Sequence, residues 1–100
     1  MRIDLDAHIV DTLMRDLVSH DRAPSAFLLY LFLWRHTRGA ERDSYGASLQ
    51  EMASDTGLSK STVQNALRRL KRRGLVSARK TTPTSAYHYQ VHEPWRRGGR

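Results

Sequence analysis

The stretch LQEMASDTGLSKSTVQNALRRLKRRGL, residues 49–75, predicts two helices joined by a tight turn. Its first apolar residues recur at the spacing of one helix face: Leu49, Met52 and Ala53. Ser48 precedes this helix and Glu51 lies three residues further on, which is the pattern of a capping box. Gly57 is expected to end the helix, because glycine readily adopts the left-handed backbone of a turn.

A second helix is predicted to follow Ser59, whose hydroxyl can cap it. One face of this helix is apolar and consists of Val63, Ala66, Leu67 and Leu70. The other face is polar and cationic and consists of Lys60, Ser61, Gln64, Asn65 and Arg68. The helix is therefore expected to pack against a core on one side and to face solvent or a ligand on the other.

This pattern resembles the helix-turn-helix of bacterial winged-helix DNA-binding proteins, including small transcription regulators and the N-terminal domains of replication initiators. In that family a small residue lets the second helix cross the first closely and a glycine permits the turn, and Ala53 and Gly57 stand at these positions. Three apolar residues also fit: Leu58, Val63 and Ala66. The ending RRGLV, residues 72–76, resembles the family's junction with its first wing strand, whereas Thr56 stands where an apolar residue is common.

The resemblance implies a mainly α-helical fold with a small antiparallel β-hairpin, a winged helix-turn-helix with an extra N-terminal helix. We expect residues 1–20 to form that helix and to pack or dimerise through it. Residues 25–95 would form the DNA-binding domain, and the Arg- and Gly-rich residues 96–100 a mobile basic tail.

The charges are distributed unevenly along the chain. Residues 1–55 carry six Lys or Arg against nine Asp or Glu, whereas residues 56–92 carry eight basic residues and no acidic one. The net charge of the whole chain is +7. Such an asymmetry is typical of a surface that binds a polyanion, and it coincides with the second predicted helix.

Composition limits the class of protein. A chain of 100 residues is expected to form one domain with a modest core. It has no cysteine, which excludes disulfides and cysteine-bound zinc and fits a reducing cytoplasm. No signal peptide is visible at the start. The longest apolar run, residues 26–34, is shorter than the roughly 20 residues of a membrane helix. We expect a bacterial, cytoplasmic protein associated with the nucleoid.

Two helices are predicted before the quoted stretch. The first is capped by Asp4 or Asp6 and runs to about Ser19; its apolar stripe comprises Ile9, Val10, Leu13, Leu17 and Val18. This stripe can pack within the chain or against a second copy. The second helix, about residues 25–37, would be capped by Ser25 after the break at Pro24 and is apolar nearly all round, as buried helices are.

Within that second helix, Tyr30 and Trp34 could line a ligand pocket, but core packing is favoured. A short strand is expected at residues 45–47. A β-hairpin is expected from residues 75–82 and 86–92, with Pro83, Thr84 and Ser85 at its tip. Tyr87, Tyr89 and Val91 alternate along one strand face. Trp95 is expected to close the core from outside.

The resemblance places the helix of residues 59–73 in the major groove of DNA, where side chains of its N-terminal half read base edges. The candidates are Ser59, Lys60, Ser61, Thr62, Gln64, Asn65 and Arg68. Gln64 or Asn65 would pair with adenine and Arg68 with guanine. The later arginines Arg69, Arg72 and Arg73 would reach phosphates or offset the helix dipole. Arg79 and Lys80 would contact the DNA backbone or a minor groove near the hairpin tip.

The sequence contains no motif of an enzyme. The phosphate-loop, zinc-protease and nucleophile-elbow patterns are missing, and neither a cofactor nor a metal is expected. His88 and His92 are four residues apart on a predicted strand, where this spacing forms no close metal-binding pair. The function we expect is sequence-specific binding of double-stranded DNA by a transcription regulator, as a homodimer. Two alternatives remain: a DNA-binding module of a plasmid or phage replication or partition protein, and a winged-helix module that binds proteins.

Overall fold

The fold consists of three α-helices and a small antiparallel sheet, preceded by a helical N-terminal segment. The computed structural model describes residues 1–96. Within them the α-helices are α1 (Pro24–His36), α2 (Leu49–Thr56) and α3 (Lys60–Arg72), and the strands are β1 (Tyr45–Gly46), β2 (Val76–Arg79) and β3 (His88–Val91). The N-terminal segment contains two π-helical stretches, Ile9–Leu13 and Asp16–His20, and a 3₁₀ turn, Arg38–Ala40, follows α1. This is a winged helix-turn-helix with an additional N-terminal helical segment, as predicted.

The N-terminal segment packs against α1 of its own chain. Asp6 caps its start, where the carboxylate accepts a hydrogen bond from the His8 backbone N–H at 2.9 Å. The side chains buried in the core are spaced four residues apart: Ile9, Leu13 and Leu17. Val10 and Val18, which belong to the same predicted stripe, are 47% and 40% exposed in the single chain. Each follows a buried residue by one position, which turns it out of contact with α1.

Helix α1 begins one residue earlier than predicted and lies at the centre of the fold. Ala23 is its N-cap residue and Pro24 its first residue, so the assignment of the cap to Ser25 was wrong. Proline suits this position because its fixed φ is helical and its missing N–H would have no partner in the helix. Helix α1 contacts α2, α3, the N-terminal segment and β3. This confirms the prediction of a helix that is buried on several sides.

The side chains of Tyr30 and Trp34 in α1 are buried in the core. Tyr30 is fully buried, and its hydroxyl donates to the His92 backbone carbonyl at 2.9 Å. The Trp34 indole Nε1–H donates to the Asp4 carbonyl, also at 2.9 Å. The favoured prediction, that these two residues pack in the core, is therefore confirmed. Their polar atoms also hold both ends of the described chain to α1.

The sheet has the strand order β1-β3-β2, and both strand pairs are antiparallel. Tyr89 and Val91 face the core, as their alternation predicted. Gly46 lies opposite His88, and a Cβ at this glycine would approach the imidazole ring to 2.7 Å. The packing of the His88 ring over Gly46 therefore depends on the missing side chain, since a Cβ there would force the ring to move.

The residues after β3 return to the N-terminal segment. The Trp95 ring stacks on His8 at 4.4 Å between ring centres and packs against the core, which confirms the prediction for this residue. Glu93 is buried and pairs with Arg38 and Arg96, each at 3.4 Å. Arg96, the first residue of the predicted mobile tail, is thus held by an ion pair. The rest of that tail, residues 97–100, lies outside the described residues.

Candidate nucleic-acid interface

The turn between α2 and α3 has the geometry that its sequence predicts. Ser48 and Glu51 form both hydrogen bonds of the capping box, at 3.1 and 2.8 Å. Gly57 has φ +82°, a left-handed conformation that only glycine adopts without strain. The Thr56 hydroxyl donates to the Met52 carbonyl and accepts the Leu58 backbone N–H, at 2.7 and 3.2 Å. The residue that departs from the family pattern therefore caps the turn.

Helix α3 is divided into a buried and an exposed face, as its sequence indicates. Its buried residues are Val63, Ala66, Leu67 and Leu70. Its exposed residues include Lys60, Ser61, Gln64, Asn65, Arg68, Lys71 and Arg72. Because α3 packs against both α1 and α2, this second set is held on a rigid support.

Two grooves border the exposed face of α3. On one side, Gln64, Arg68 and Lys71 line an open groove of about 220 Å³ whose opposite wall is Tyr87. On the other side, Thr62, Asn65 and Arg69 line a second open groove that reaches residues 22–26. The predicted base-reading residues are thus divided between two sides of α3.

Two of the predicted base-reading residues have local structural roles. The Ser59 hydroxyl caps α3 by accepting the Thr62 backbone N–H at 3.1 Å, and it also donates to the Thr62 hydroxyl at 2.8 Å. This confirms Ser59 as the cap of α3. These two hydroxyl groups are engaged with each other, and the Ser61 hydroxyl lies 3.2 Å from that of Ser59, which leaves Lys60 as the freer side chain of this first turn.

Arg68 and Asn65 form a pair on the exposed face. The Arg68 guanidinium donates through Nη2 to the Asn65 side-chain oxygen, one turn earlier in α3. The remaining N–H groups of the guanidinium are not engaged by this contact. Asn65 therefore orients Arg68 along the helix while leaving donors that can meet a base edge.

The strands of the hairpin are shorter than predicted, and the connection between them is longer. Pairing ends at Arg79 and His88, so residues 80–87 form the connection. Thr82 and Ser85 hydrogen-bond to each other across Pro83, which favours a local turn over continued strand pairing. Tyr87 consequently lies outside β3 and is 45% exposed, so its assignment to the buried strand face was wrong.

The two basic residues near the hairpin tip have different surroundings. Arg79 lines an open groove with Ser77 and His88 on the sheet face that is turned away from the core. Lys80 lies over the Tyr87 ring, with Nζ 4.8 Å from its centre, and Tyr87 itself lines the groove that α3 borders. Lys80 is therefore close to that groove through its contact with Tyr87, whereas Arg79 lines a different groove.

Comparison with known proteins agrees with this architecture. A family model described as a helix-turn-helix domain matches residues 23–76, which include α1, α2 and α3. The chain belongs to this helix-turn-helix family. Families of this kind are DNA-binding domains and are typically not enzymes. A search of curated proteins found no match to the chain.

The C-terminal end of α3 in this helix-turn-helix domain is held by an ion pair. Arg73 donates from Nε and Nη2 to the two carboxylate oxygens of Asp21, at 2.8 and 2.7 Å. The Asp21 side chain is only 6% exposed. The Arg73 guanidinium holds the pKa of the Asp21 carboxyl well below its usual range. Arg73, predicted to reach phosphate or offset the helix dipole, thus joins α3 to the N-terminal segment.

Replacing Asp21 with asparagine is expected to lower the free energy of unfolding by about 1 to 2 kcal/mol at neutral pH, because a charge-assisted bidentate contact is lost. Since the pKa of Asp21 is depressed in the folded state, the stability it contributes is present above about pH 4 and is lost as the pH falls further. Urea unfolding near pH 7 and near pH 3 measures both effects.

The exposed Asp11 in the same segment supplies the control, since Asp11→Asn removes an equal charge that has no ion pair among residues 1–96. The Asp21→Asn variant should be less stable than the Asp11→Asn variant near pH 7, and the difference should shrink in acid. Equal stability of the two variants at every pH would mean that the Asp21–Arg73 contact contributes nothing.

Three residues of this region were not found from the sequence. Lys71 lies three residues after Arg68 and seven after Gln64, so helical spacing alone could have placed it on the exposed face. Tyr87 was assigned to the core by strand alternation. No local signal in the sequence shows that β3 begins only at His88, the residue after Tyr87. Asp21 meets Arg73 only because the N-terminal segment folds back on α1.

Within residues 1–96, no three His, Asp or Glu side chains are grouped as they would be around a metal ion. His92 hydrogen-bonds to Ser77 at 2.8 Å, and His88 covers Gly46. Among the same residues, every helix is too short or too polar to cross a membrane.

Proposed function

We propose that the chain binds double-stranded DNA in a sequence-specific manner, with α3 in the major groove and the β2–β3 hairpin against the backbone. The observation that supports this most strongly is the amphipathic α3, which has a fully packed inner face and an exposed face rich in polar and basic side chains. A major groove accepts one α-helix, and its base edges are read by such side chains. No acidic residue lies between Gly57 and His92, so this surface attracts phosphate throughout.

In this proposal the exposed side chains of α3 have distinct roles. Gln64 or Asn65 pairs with adenine and Arg68 with guanine, since these are the side chains that form bidentate contacts with those bases. Lys60, Ser61 and Thr62 approach bases or phosphates at the start of the helix, where Ser59 is chiefly a cap. Three arginines contact phosphates: Arg69, Arg72 and Arg79.

The role we propose is that of a transcription regulator on the bacterial nucleoid, acting as a homodimer on a two-fold site. Residues 1–20 bury one face inside the chain and leave Val10 and Val18 exposed, so a second copy would meet this remaining apolar side. The proposed DNA-binding domain comprises residues 25–95, with α1 as the support that carries α3.

Selection of bound sequences from a pool of random duplexes tests the proposal. We expect enrichment of a two-fold symmetric motif whose half-sites are separated by about one helical turn, roughly 34 to 36 Å, or a multiple of it. Affinity for the selected duplex should fall steeply between about 50 and 200 mM salt. Failure to enrich any sequence, together with no affinity for duplex at low salt, would contradict DNA binding and favour the protein-binding module.

A further inference from the structure

The groove between α3 and the hairpin contains an exposed aromatic ring with two ammonium groups close to it. Lys71 Nζ lies 5.8 Å from the centre of the Tyr87 ring and Lys80 Nζ 4.8 Å from it. Lys71 belongs to α3, whereas Lys80 and Tyr87 belong to the connection between β2 and β3. The Tyr87 ring is thus contacted by one lysine from α3 and one from the β2–β3 connection.

Both lysines lack an acidic partner within the described chain. None of the ion pairs among residues 1–96 includes Lys71 or Lys80. Lys80 donates a single hydrogen bond to the Pro83 carbonyl at 3.3 Å. Two ammonium groups without an acidic partner beside one ring make this part of the surface attractive to an anion.

The walls of the groove restrict what that anion can be. Leu49, Leu67 and Tyr89 line its apolar part, and Gln64 and Arg68 line its α3 side next to Lys71. The groove is open to solvent, so a chain longer than the groove can lie across it. Because two of the predicted base-reading residues, Gln64 and Arg68, border the same groove, a DNA strand that passes them is expected to continue over Tyr87.

We infer that Lys71 and Tyr87 join Lys80 in one phosphate-binding site for the backbone of a DNA strand; this rests on the proposed function. The aromatic ring holds both ammonium groups by cation–π attraction before DNA arrives. Long lysine side chains lose considerable rotamer freedom when they are immobilised, and a ring that already restricts them reduces this cost on binding. The site also fixes the hairpin relative to α3, because its two cations come from different elements.

The test uses the full chain and measures binding to a duplex of random sequence over a range of salt concentrations. Lys71→Gln and Lys80→Gln are each expected to lower the slope of log affinity against log salt by about 0.9, the value for one lost phosphate contact. Tyr87→Leu keeps the charge and is expected to weaken binding roughly two- to five-fold with little change in slope. Tyr87→Phe keeps the ring and should bind like the unchanged protein.

Arg2→Gln serves as the charge-matched control, because Arg2 is exposed in the N-terminal residues that contact α1 near Trp34, away from the groove. The midpoint temperature of thermal unfolding is measured for every variant, and a value equal to that of the unchanged protein means that the variant keeps the fold. If the unchanged protein binds duplex but both lysine variants match Arg2→Gln, the inference is overturned while the proposed function stands. Equal binding by Tyr87→Leu and Tyr87→Phe overturns the role of the ring. No binding by the unchanged protein overturns both proposals.

Discussion

Replacing Arg68 with alanine is expected to remove the preference for guanine at one position of each half-site. A bidentate contact between a guanidinium and guanine contributes about 1 to 3 kcal/mol of discrimination, so the preference should fall by roughly 5- to 150-fold. Arg68 is exposed and alanine favours helices, so α3 should remain folded. Titration against duplexes that carry each of the four bases at the position measures the change.

Arg79→Ala is the comparison that separates base reading from general attraction. It removes the same charge, but Arg79 lies on the outer face of the sheet near the hairpin tip. We expect it to weaken binding to all sequences alike and to lower the salt slope by about 1. An equal loss for both variants, with no change in the ranking of the duplexes, would contradict a base-reading role for Arg68.

The contact between Asn65 and Arg68 adds a second level to this test. If Asn65 orients the guanidinium, Asn65→Ala should weaken the guanine preference without abolishing it. The double variant should then lose less than the sum of the two single losses, because residues in contact act as one unit.

Replacing Leu29 with alanine is expected to lower the free energy of unfolding by about 2 to 5 kcal/mol, the largest loss of stability that we predict. The Leu29 side chain is fully buried in α1, the helix that contacts α2, α3, β3 and the N-terminal segment. A loss of this size shifts the midpoint of thermal unfolding by roughly 4 to 8 °C per kcal/mol in a domain of this length. Urea and thermal unfolding measure it directly.

Leu28 is the matched control, because it precedes Leu29 in the same helix and is 52% exposed. Leu28→Ala makes the same chemical change and should alter the free energy of unfolding by no more than about 0.5 kcal/mol. Similar losses for the two variants would show that Leu28 is covered in solution, contrary to the structure of the single chain.

The local parts of the candidate interface were predictable because each depends on residues close together in sequence. The capping box at Ser48, the left-handed Gly57 and the cap at Ser59 are short-range hydrogen-bonding patterns. The burial of Val63 and its neighbours follows from helical spacing. All the residues that were predicted to lie on the exposed face of α3 are therefore exposed, although Lys71 was omitted from the prediction.

Strand ends were less predictable, because strand pairing depends on a distant partner. Alternation continues through Tyr87, but β2 ends at Arg79 and leaves Tyr87 without a partner on that strand. The same limit applies to Lys80, whose position over Tyr87 depends on how residues 80–87 connect the strands. Sequence periodicity indicates which residues alternate but not where the hydrogen bonds stop.

The sequence by itself determined the helix-turn-helix and the side of α3 that faces outward, since caps, turns and helical spacing are local properties of the chain. Only the tertiary structure decided which side of the apolar α1 is buried, because Leu28 and Leu29 are chemically identical and differ only in what packs against them. The tertiary structure also joined Asp21 to Arg73 and brought Lys71 and Lys80 to one aromatic ring. These contacts link residues far apart in sequence, and their partners are set by the packing of whole elements.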